Sequence, residues 1–236
     1  MRKCLITCKA HPGEPAWFAL WQFARERFMD YAAAHGYDFR EFWYNDFDAG
    51  EWPGLIHGRL PAWPFDKSMT SPCWLKIPAI AQSLRRYDLV LYLDNDCVIL
   101  DFLKDIADDL PADKWIGMAE GTTSEGTGPN VGVVVTRSVP MAWKFWRQAW
   151  DIDAWQTARW TDQGQVFHLL GFRTVPPIEK LRETEYDSGY YVLPSEWNAW
   201  TDCGKAPAGT RIYHAAWGRS GEWKLQVMRE AIVQRK

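Results

Sequence analysis

Tyr87-Asp88-Leu89-Val90-Leu91-Tyr92-Leu93-Asp94-Asn95-Asp96 is the stretch that decides how this chain is read. From Leu89 to Leu93 the residues are apolar without interruption, so there is no alternation of inward and outward positions. A strand of that kind is buried on both faces, as a central strand of a parallel sheet is. The run ends at Asp94, and open α/β sheets bind ligands in the crevice beyond the carboxyl ends of their strands. Two carboxylates at i and i+2 on such a loop can both turn toward that crevice. So close together they repel, and their pKa values rise unless a cation neutralises them. Oxygen ligands of this type select Mg²⁺ or Mn²⁺. The structural alternative is a pair of loop-capping aspartates with no metal.

Upstream, residues 3 to 8 read as a buried strand. A helix follows in which Trp17, Leu20, Trp21, Ala24, Phe28, Tyr31 and Ala32 recur at helical steps and Gly36 is the stop. Tyr37 to Trp43 gives a second strand and completes a β-α-β opening. Asn45 to Ser71 is rich in Pro, Gly and Trp and reads as a long ordered loop over a site. Ser71-Pro72 opens a helix over 73–87 that Pro78 must kink or restart. Downstream, the pattern predicts a helical piece over 102–109, a strand over 115–119, a Gly/Thr/Ser loop over 121–129 and a strand over 131–136. Ser138 then starts a helix carrying Met141, Phe145, Trp146 and Trp150, and Thr161 caps another that runs to Leu170. The fold class is therefore α/β, with a mainly parallel sheet flanked by helices on both faces. Without repeats or a linker, residues 1–236 read as a single domain.

Composition excludes several functions. Of 236 residues, 47% are hydrophobic and 24% charged, the balance of a packed globular protein. The net charge of -3 offers no basic stripe for nucleic acid, so an anionic ligand would have to be held locally. The start of the chain lacks the apolar region of a signal peptide and no segment has the length to span a bilayer, which predicts a cytoplasmic protein with no transmembrane segment. Cys4, Cys8, Cys73, Cys97 and Cys203 are scattered and read as reduced structural thiols. The 16 tryptophans fill the core or, in part, stack on sugar rings.

The Asp94-Asn95-Asp96 run also suits a Mg²⁺-dependent phosphatase of the haloacid dehalogenase type, in which the first Asp attacks phosphorus. That reading needs the motif near the start of the domain and a later strand-end acidic pair, and the chain has neither. A Trp-rich, non-catalytic carbohydrate-binding protein is a further alternative.

Taken in order, Trp74-Leu75-Lys76-Ile77-Pro78-Ala79-Ile80, Tyr87 to Asp96, Asn130-Val131-Gly132, Asp162-Gln163 and His214 resemble retaining glycosyltransferases of the GT-A fold. The likeness is to the galactosyl-, mannosyl- and xylosyltransferases and, more distantly, to the glycogenin and lipopolysaccharide galactosyltransferase group. The resemblance implies a nucleotide-binding half over 1–100, a donor-sugar and acceptor half over 101–236, and metal-dependent transfer of a hexose or pentose from a nucleotide-sugar, by family habit a UDP-sugar, to a saccharide or glycoconjugate hydroxyl. It implies Mn²⁺ or Mg²⁺ on Asp94, Asp96 and His214. It places Thr7, Lys76, Asp94, Asn130, Gly132 and one or both of Arg219 and Lys224 at the donor, and Asp162 with Gln163 beneath the donor sugar as the catalytic pair. The Trp197-Asn198 loop would line the acceptor side. Read from the residues alone, His214 fits a satisfied core histidine as well, Lys76 a solvated helix charge, Asn130 and Gly132 a tight turn, and Asp162 a helix N-terminus. Retention is implied by the likeness, whereas Asp162 acting as a general base would invert. Asp96→Asn is expected to abolish transfer with the fold intact.

Overall fold

The computed structural model describes residues 1–9, 15–43, 46–48, 50–52, 72–151, 161–200, 205–216 and 220–235. Strand β1 (Lys3–Cys8), helix α1 (Pro15–His35) and strand β2 (Tyr37–Phe42) form the opening unit, with β1 and β2 parallel. Leu20, Ala24, Phe28, Tyr31 and Ala32 are the buried stripe of α1, and Gly36, at φ 69°, ends it. A single 3₁₀ turn (Pro72–Leu75) leads into α2 (Lys76–Leu84). The helix restarts rather than kinks, because Pro78 falls in its first turn, where an N–H has no intrahelical acceptor.

Strand β3 (Leu89–Leu93) is the apolar run, and every residue in it is buried. After the acidic motif come β4 (Cys97–Ile99), a hairpin of β5 (Ile116–Thr123) and β6 (Gly126–Arg137), α3 (Pro140–Asp151), α4 (Thr161–Leu169), β7 (Tyr190–Leu193), β8 (Ile212–His214) and α5 (Gly221–Val233). The main sheet runs β2-β1-β3-β6-β5-β7. Pairs β2–β1, β1–β3 and β5–β7 are parallel, and β6 alone opposes its neighbours. β4 and β8 make a small antiparallel sheet of their own.

Alternation along the central strands divides two cores. Cys4, Ile6, Val90, Tyr92 and Val134 face α2, α3 and α4, with Trp74, Phe145 and Trp146 in the same cluster. Leu5, Leu89, Leu91, Leu93 and Val133 face α1, α5 and the small sheet. Truncating a residue such as Leu91 to Ala would cost about 2–5 kcal/mol.

Several local expectations are corrected. The segment 121–129 is ladder rather than loop, because its glycines let the hairpin press against Ile178 and Phe167 and its threonines suit a strand. Within 102–109 only Ile106–Asp109 turns, as one 3₁₀ turn capped by Asp105. Ser138 does not cap α3; its hydroxyl donates to Leu84 O. Thr161 is not an accepting cap either, since at φ 51° its hydroxyl donates to Asp162 Oδ1 at 2.7 Å. Most of the loop read over 45–71, together with Cys203, lies outside the described residues. Cys4, Cys8, Cys73 and Cys97 are free thiols, and no described helix is long and apolar enough to cross a membrane.

Candidate active site

Strand β3 delivers Asp94 to the carboxyl edge of the sheet, and the turn after it carries Asn95 and Asp96 into β4. Thr7, at the end of the adjacent strand β1, fixes that turn. It is fully buried, its hydroxyl donates to Leu93 O at 2.8 Å, and it lies 2.9 Å from Asn95 Oδ1. Its role is thus to shape the turn, and its hydroxyl is not left for a ligand.

Asp94 meets a cation on one side. Lys76 Nζ lies 3.1 Å from the Asp94 carboxylate, 2.9 Å from Asp162 Oδ2, and donates to Val131 O at 3.1 Å. Tyr92 donates its phenol to Asp94 Oδ1 at 2.8 Å, a contact that the apolar reading of β3 had concealed. Lys76 is only 2% exposed, so it is an internal charge and not a solvated helix lysine. Burial disfavours its ammonium, but Asp162 and Asp94 outweigh that and hold its pKa above the usual lysine range. Burial, only partly offset by Lys76 and reinforced by Asp94, raises the Asp162 carboxyl. Gln163 turns away from this triad, and its Oε1 accepts from Val131 N at 3.4 Å.

Asp96 meets a second group of partners. Its Oδ2 lies 2.5 Å from Lys224 Nζ on α5, and its Oδ1 lies 3.1 Å from His214 Nε2 on β8. Burial would raise this carboxyl, yet the Lys224 ammonium beside it holds it well below the ordinary range. His214 reaches it because β8 pairs with β4 in the register Cys97↔His214, and Ala215 N donates to Asp96 O. Gly132 admits the ring: a Cβ there would stand 2.2 Å from His214 Cε1 and 2.6 Å from Nδ1. The glycine's open space is therefore filled by the histidine itself.

A chain of amides sets the histidine's protonation. Gly132 N–H donates to Asn130 Oδ1 at 2.9 Å, which identifies that atom as oxygen. Asn198 Nδ2 donates to the same oxygen at 2.9 Å, so Asn198 Oδ1 is what faces His214 Nδ1 at 2.9 Å. Nδ1 must carry the proton, and Nε2 is left pointing at a carboxylate oxygen. Two acceptors 3.1 Å apart need a proton or a cation between them. Bonds of about 2.1 Å to an octahedral ion place adjacent ligand atoms about 3.0 Å apart, so the spacing fits a divalent cation. Support of a ligand histidine by an amide behind its other nitrogen is what such a site requires.

Among the described residues, Asp96, Cys97 and His214 are the group whose ligand atoms lie within 4.8 Å of one another. Burial, with Asp96 and Asp94 adding to it, pushes the Cys97 thiol far above its usual value, so it stays a thiol; its Sγ approaches Gly132 O at 3.5 Å. Asp94 stands outside this group, its carboxylate turned to Lys76 and Tyr92. Trp197 does not line a surface. It is fully buried under Arg211 and donates to Asp109 Oδ2 at 2.6 Å. Arg219 lies outside the described residues, whereas Lys224 is 5% exposed and sits 5.2 Å from the Trp17 ring centre. The structure therefore brings Lys76, Asp94, Asp96, Asn130, Gly132, Asp162, His214 and Lys224 into one region, although they come from six separate stretches of the chain.

No family model matches the chain, and no curated protein matches it in sequence. Solved structures do match. A glycosyltransferase involved in glycosylation of the major capsid of PBCV-1 is similar at a TM-score of 0.64 and 16% identity, with 96% of this chain and 99% of that one covered. Mouse xyloside xylosyltransferase 1 is similar at a TM-score of 0.55 and 12% identity, with 91% and 98% covered. The galactosyltransferase LgtC, solved with donor and acceptor sugar analogs, is similar at a TM-score of 0.50 and 14% identity, with 98% and 95% covered. The α/β architecture is the GT-A fold of these glycosyltransferases.

Proposed function

We propose that this chain is a glycosyltransferase that moves a sugar from a nucleoside-diphosphate donor to an acceptor hydroxyl, with a divalent cation held by Asp96 and His214 and with Asp94 as the third candidate ligand. The observation that carries the reading is the approach of Asp96 Oδ1 to His214 Nε2 at 3.1 Å, a spacing that suits two ligands of one cation, with His214 Nδ1 held by Asn198. A bound Mn²⁺ or Mg²⁺ would supply Lewis acidity to a leaving diphosphate.

The chain's own residues do the rest. Lys224 is the cation nearest Asp96 and is the candidate for phosphate contact, with Arg219 as the second candidate. Lys76, held between Asp94 and the buried Asp162, offsets the charge of both carboxylates and orients them. Asp162 then presents fixed negative charge that stabilises oxocarbenium character at the donor's anomeric carbon. The engagement of its carboxylate by Lys76 and Thr161 supports a stabilising role over that of a free base, and with it retention. Asn130 and Gln163 border the same region and are the candidates for sugar hydroxyl contacts. UDP is the donor nucleotide we favour, and a saccharide or glycoconjugate is the acceptor class.

The test is a melting experiment with UDP, GDP and ADP and their sugar conjugates, with and without Mn²⁺. A nucleotide at about 100 times its Kd stabilises the native state by about 2.7 kcal/mol, and chelator must remove that gain. A nucleotide-induced rise that persists in chelator would end the metal reading, and no rise with any nucleotide would end the transferase reading. Proton NMR of the first-formed product reads the anomeric outcome.

A further inference from the structure

Beside the metal-ligand pair lies a cavity of about 480 Å³, within the size range of small-molecule sites. It is lined chiefly by Glu120, Thr122, Glu196, Asn198, Trp200 and Thr210. Asn198 is shared, since its side chain forms part of the cavity wall while its Oδ1 accepts from His214 Nδ1 and its Nδ2 donates to Asn130. One amide thus separates the cavity from the groups proposed to hold the donor. Trp200 crosses the edge of the β5–β6 hairpin, and its Nε1 would stand 3.4 Å from a Cβ on Gly121.

The chemistry of this wall is one-sided. Two carboxylates, hydroxyls, an amide and an indole contribute, and no lysine or arginine is among the described lining residues. The neighbouring Arg211 is held by two carboxylates, with Nε 2.9 Å from Glu196 in the wall and Nη1 2.6 Å from Asp101, so it offsets Glu196 and is not free to receive a ligand anion. An indole face suits the C–H face of a pyranose, and carboxylates and hydroxyls suit its hydroxyl groups. A ligand carboxylate or phosphate would instead meet Glu120, which has no ion-pair partner among the described residues, and unpaired like charge is how a site rejects a ligand.

We infer that this cavity is the acceptor subsite and that it selects an uncharged or amine-bearing saccharide against one carrying a carboxylate or phosphate. The inference rests on the transferase reading above and deepens it by naming the acceptor class. Glu120 is the discriminating residue, because Glu196 is already paired with Arg211.

The experiment uses the full chain with Mn²⁺ and a nucleoside diphosphate. Methyl pyranosides of glucose, galactose, mannose and xylose, methyl glucosaminide, methyl glucuronide and glucose 6-phosphate are the probes, read by saturation-transfer NMR. At least one neutral or amino glycoside is expected to bind, and the two anionic sugars to bind about tenfold more weakly or not at all. Glu120→Arg is expected to shift the anionic-to-neutral affinity ratio upward by about tenfold or more. Glu120→Gln, which keeps the size and removes the charge, is expected to fall between. Equal binding of anionic and neutral sugars, failure of every neutral and amino glycoside, or a ratio unchanged in Glu120→Arg would each overturn the inference. The nucleotide-induced rise in melting temperature of the wild-type chain is read in parallel. If that rise is present and sugar selectivity is absent, the cavity assignment alone fails; if the rise is absent, it is the transferase reading that fails.

Discussion

Replacing Asp96 by Asn is the most informative perturbation, because the structure makes it more than the loss of a ligand. Asp96 is the counter-ion of Lys224, and the two side chains are 15% and 6% exposed. Asparagine keeps the shape but leaves a buried ammonium without its carboxylate, a change that costs about 3–5 kcal/mol. For a chain of this length about 1 kcal/mol corresponds to 2–4 °C, so the melting temperature should fall by about 6–20 °C near neutral pH. The pH dependence has a definite sign. The folded-state pKa of Asp96 is depressed, so its contribution is complete above the unfolded value of about 3.9 and is lost as pH falls toward the folded value. The gap between wild type and variant should therefore close on acidification, by up to about 1.4 kcal/mol per pH unit below pH 4. Asp96→Asn combined with Lys224→Met removes the stranded charge and should recover most of the lost stability, yet it should still fail to bind Mn²⁺. Melting curves of the three proteins with and without Mn²⁺ are the assay. A single variant that melts with the wild type, or a double variant that still gains stability from Mn²⁺, would refute the reasoning.

Lys76→Met leaves Asp94 and Asp162 facing each other in a buried site and should cost about 3–5 kcal/mol at neutral pH. Because the Asp162 pKa is already raised in the folded state, stability in this variant should be lost as pH rises from about 4, more steeply than in the wild type, and a melting profile against pH reads this. Gly132→Ala drives a methyl group into the His214 ring, which Asn198 backs from the other side; we expect about 1–3 kcal/mol of destabilisation and loss of the Mn²⁺ response together. A destabilised variant that keeps the full Mn²⁺ response would separate the glycine from the metal site. Asp105→Asn removes a buried carboxylate bonded by Lys3 at 2.7 Å and Tyr37 at 2.6 Å, far from the site. It should lower stability by about 2–3 kcal/mol with Mn²⁺ and nucleotide responses intact, as titrated melts would show.

The sequence made the frame legible where a single physical rule governed a segment. The unbroken apolar run fixed β3 as central, and the helical stripe with Gly36 fixed α1 almost to the residue. Strands over 115–119 and 131–136 were legible, but their extension through 121–129 was not, because glycines and threonines that mark loops also permit close-packed strands, and the contact with Ile178 is what distinguishes the two. In the site, the acidic pair was visible because its spacing follows directly from a strand end. The partition of the pair was not, for Lys76 and Lys224 are separated from their aspartates by long stretches of chain. Tyr92 was hidden inside an apolar run, and the position of Asn198 behind His214 depends on the register of β8 against β4. Trp197 has the sequence of a ligand-stacking residue and the surroundings of a core one.

The small β4–β8 sheet has a consequence for how the site comes into being. All six strands of the large sheet lie before residue 194, whereas His214 and Lys224 arrive on β8 and α5. A ribosome-bound fragment ending before β8 would contain every strand of the scaffold while its motif aspartate lacked both imidazole and ammonium. The scaffold and the proposed cation site would thus be completed at different moments of synthesis, and a nick between residues 200 and 210 is expected to show first at that site, in a molecule that still looks folded.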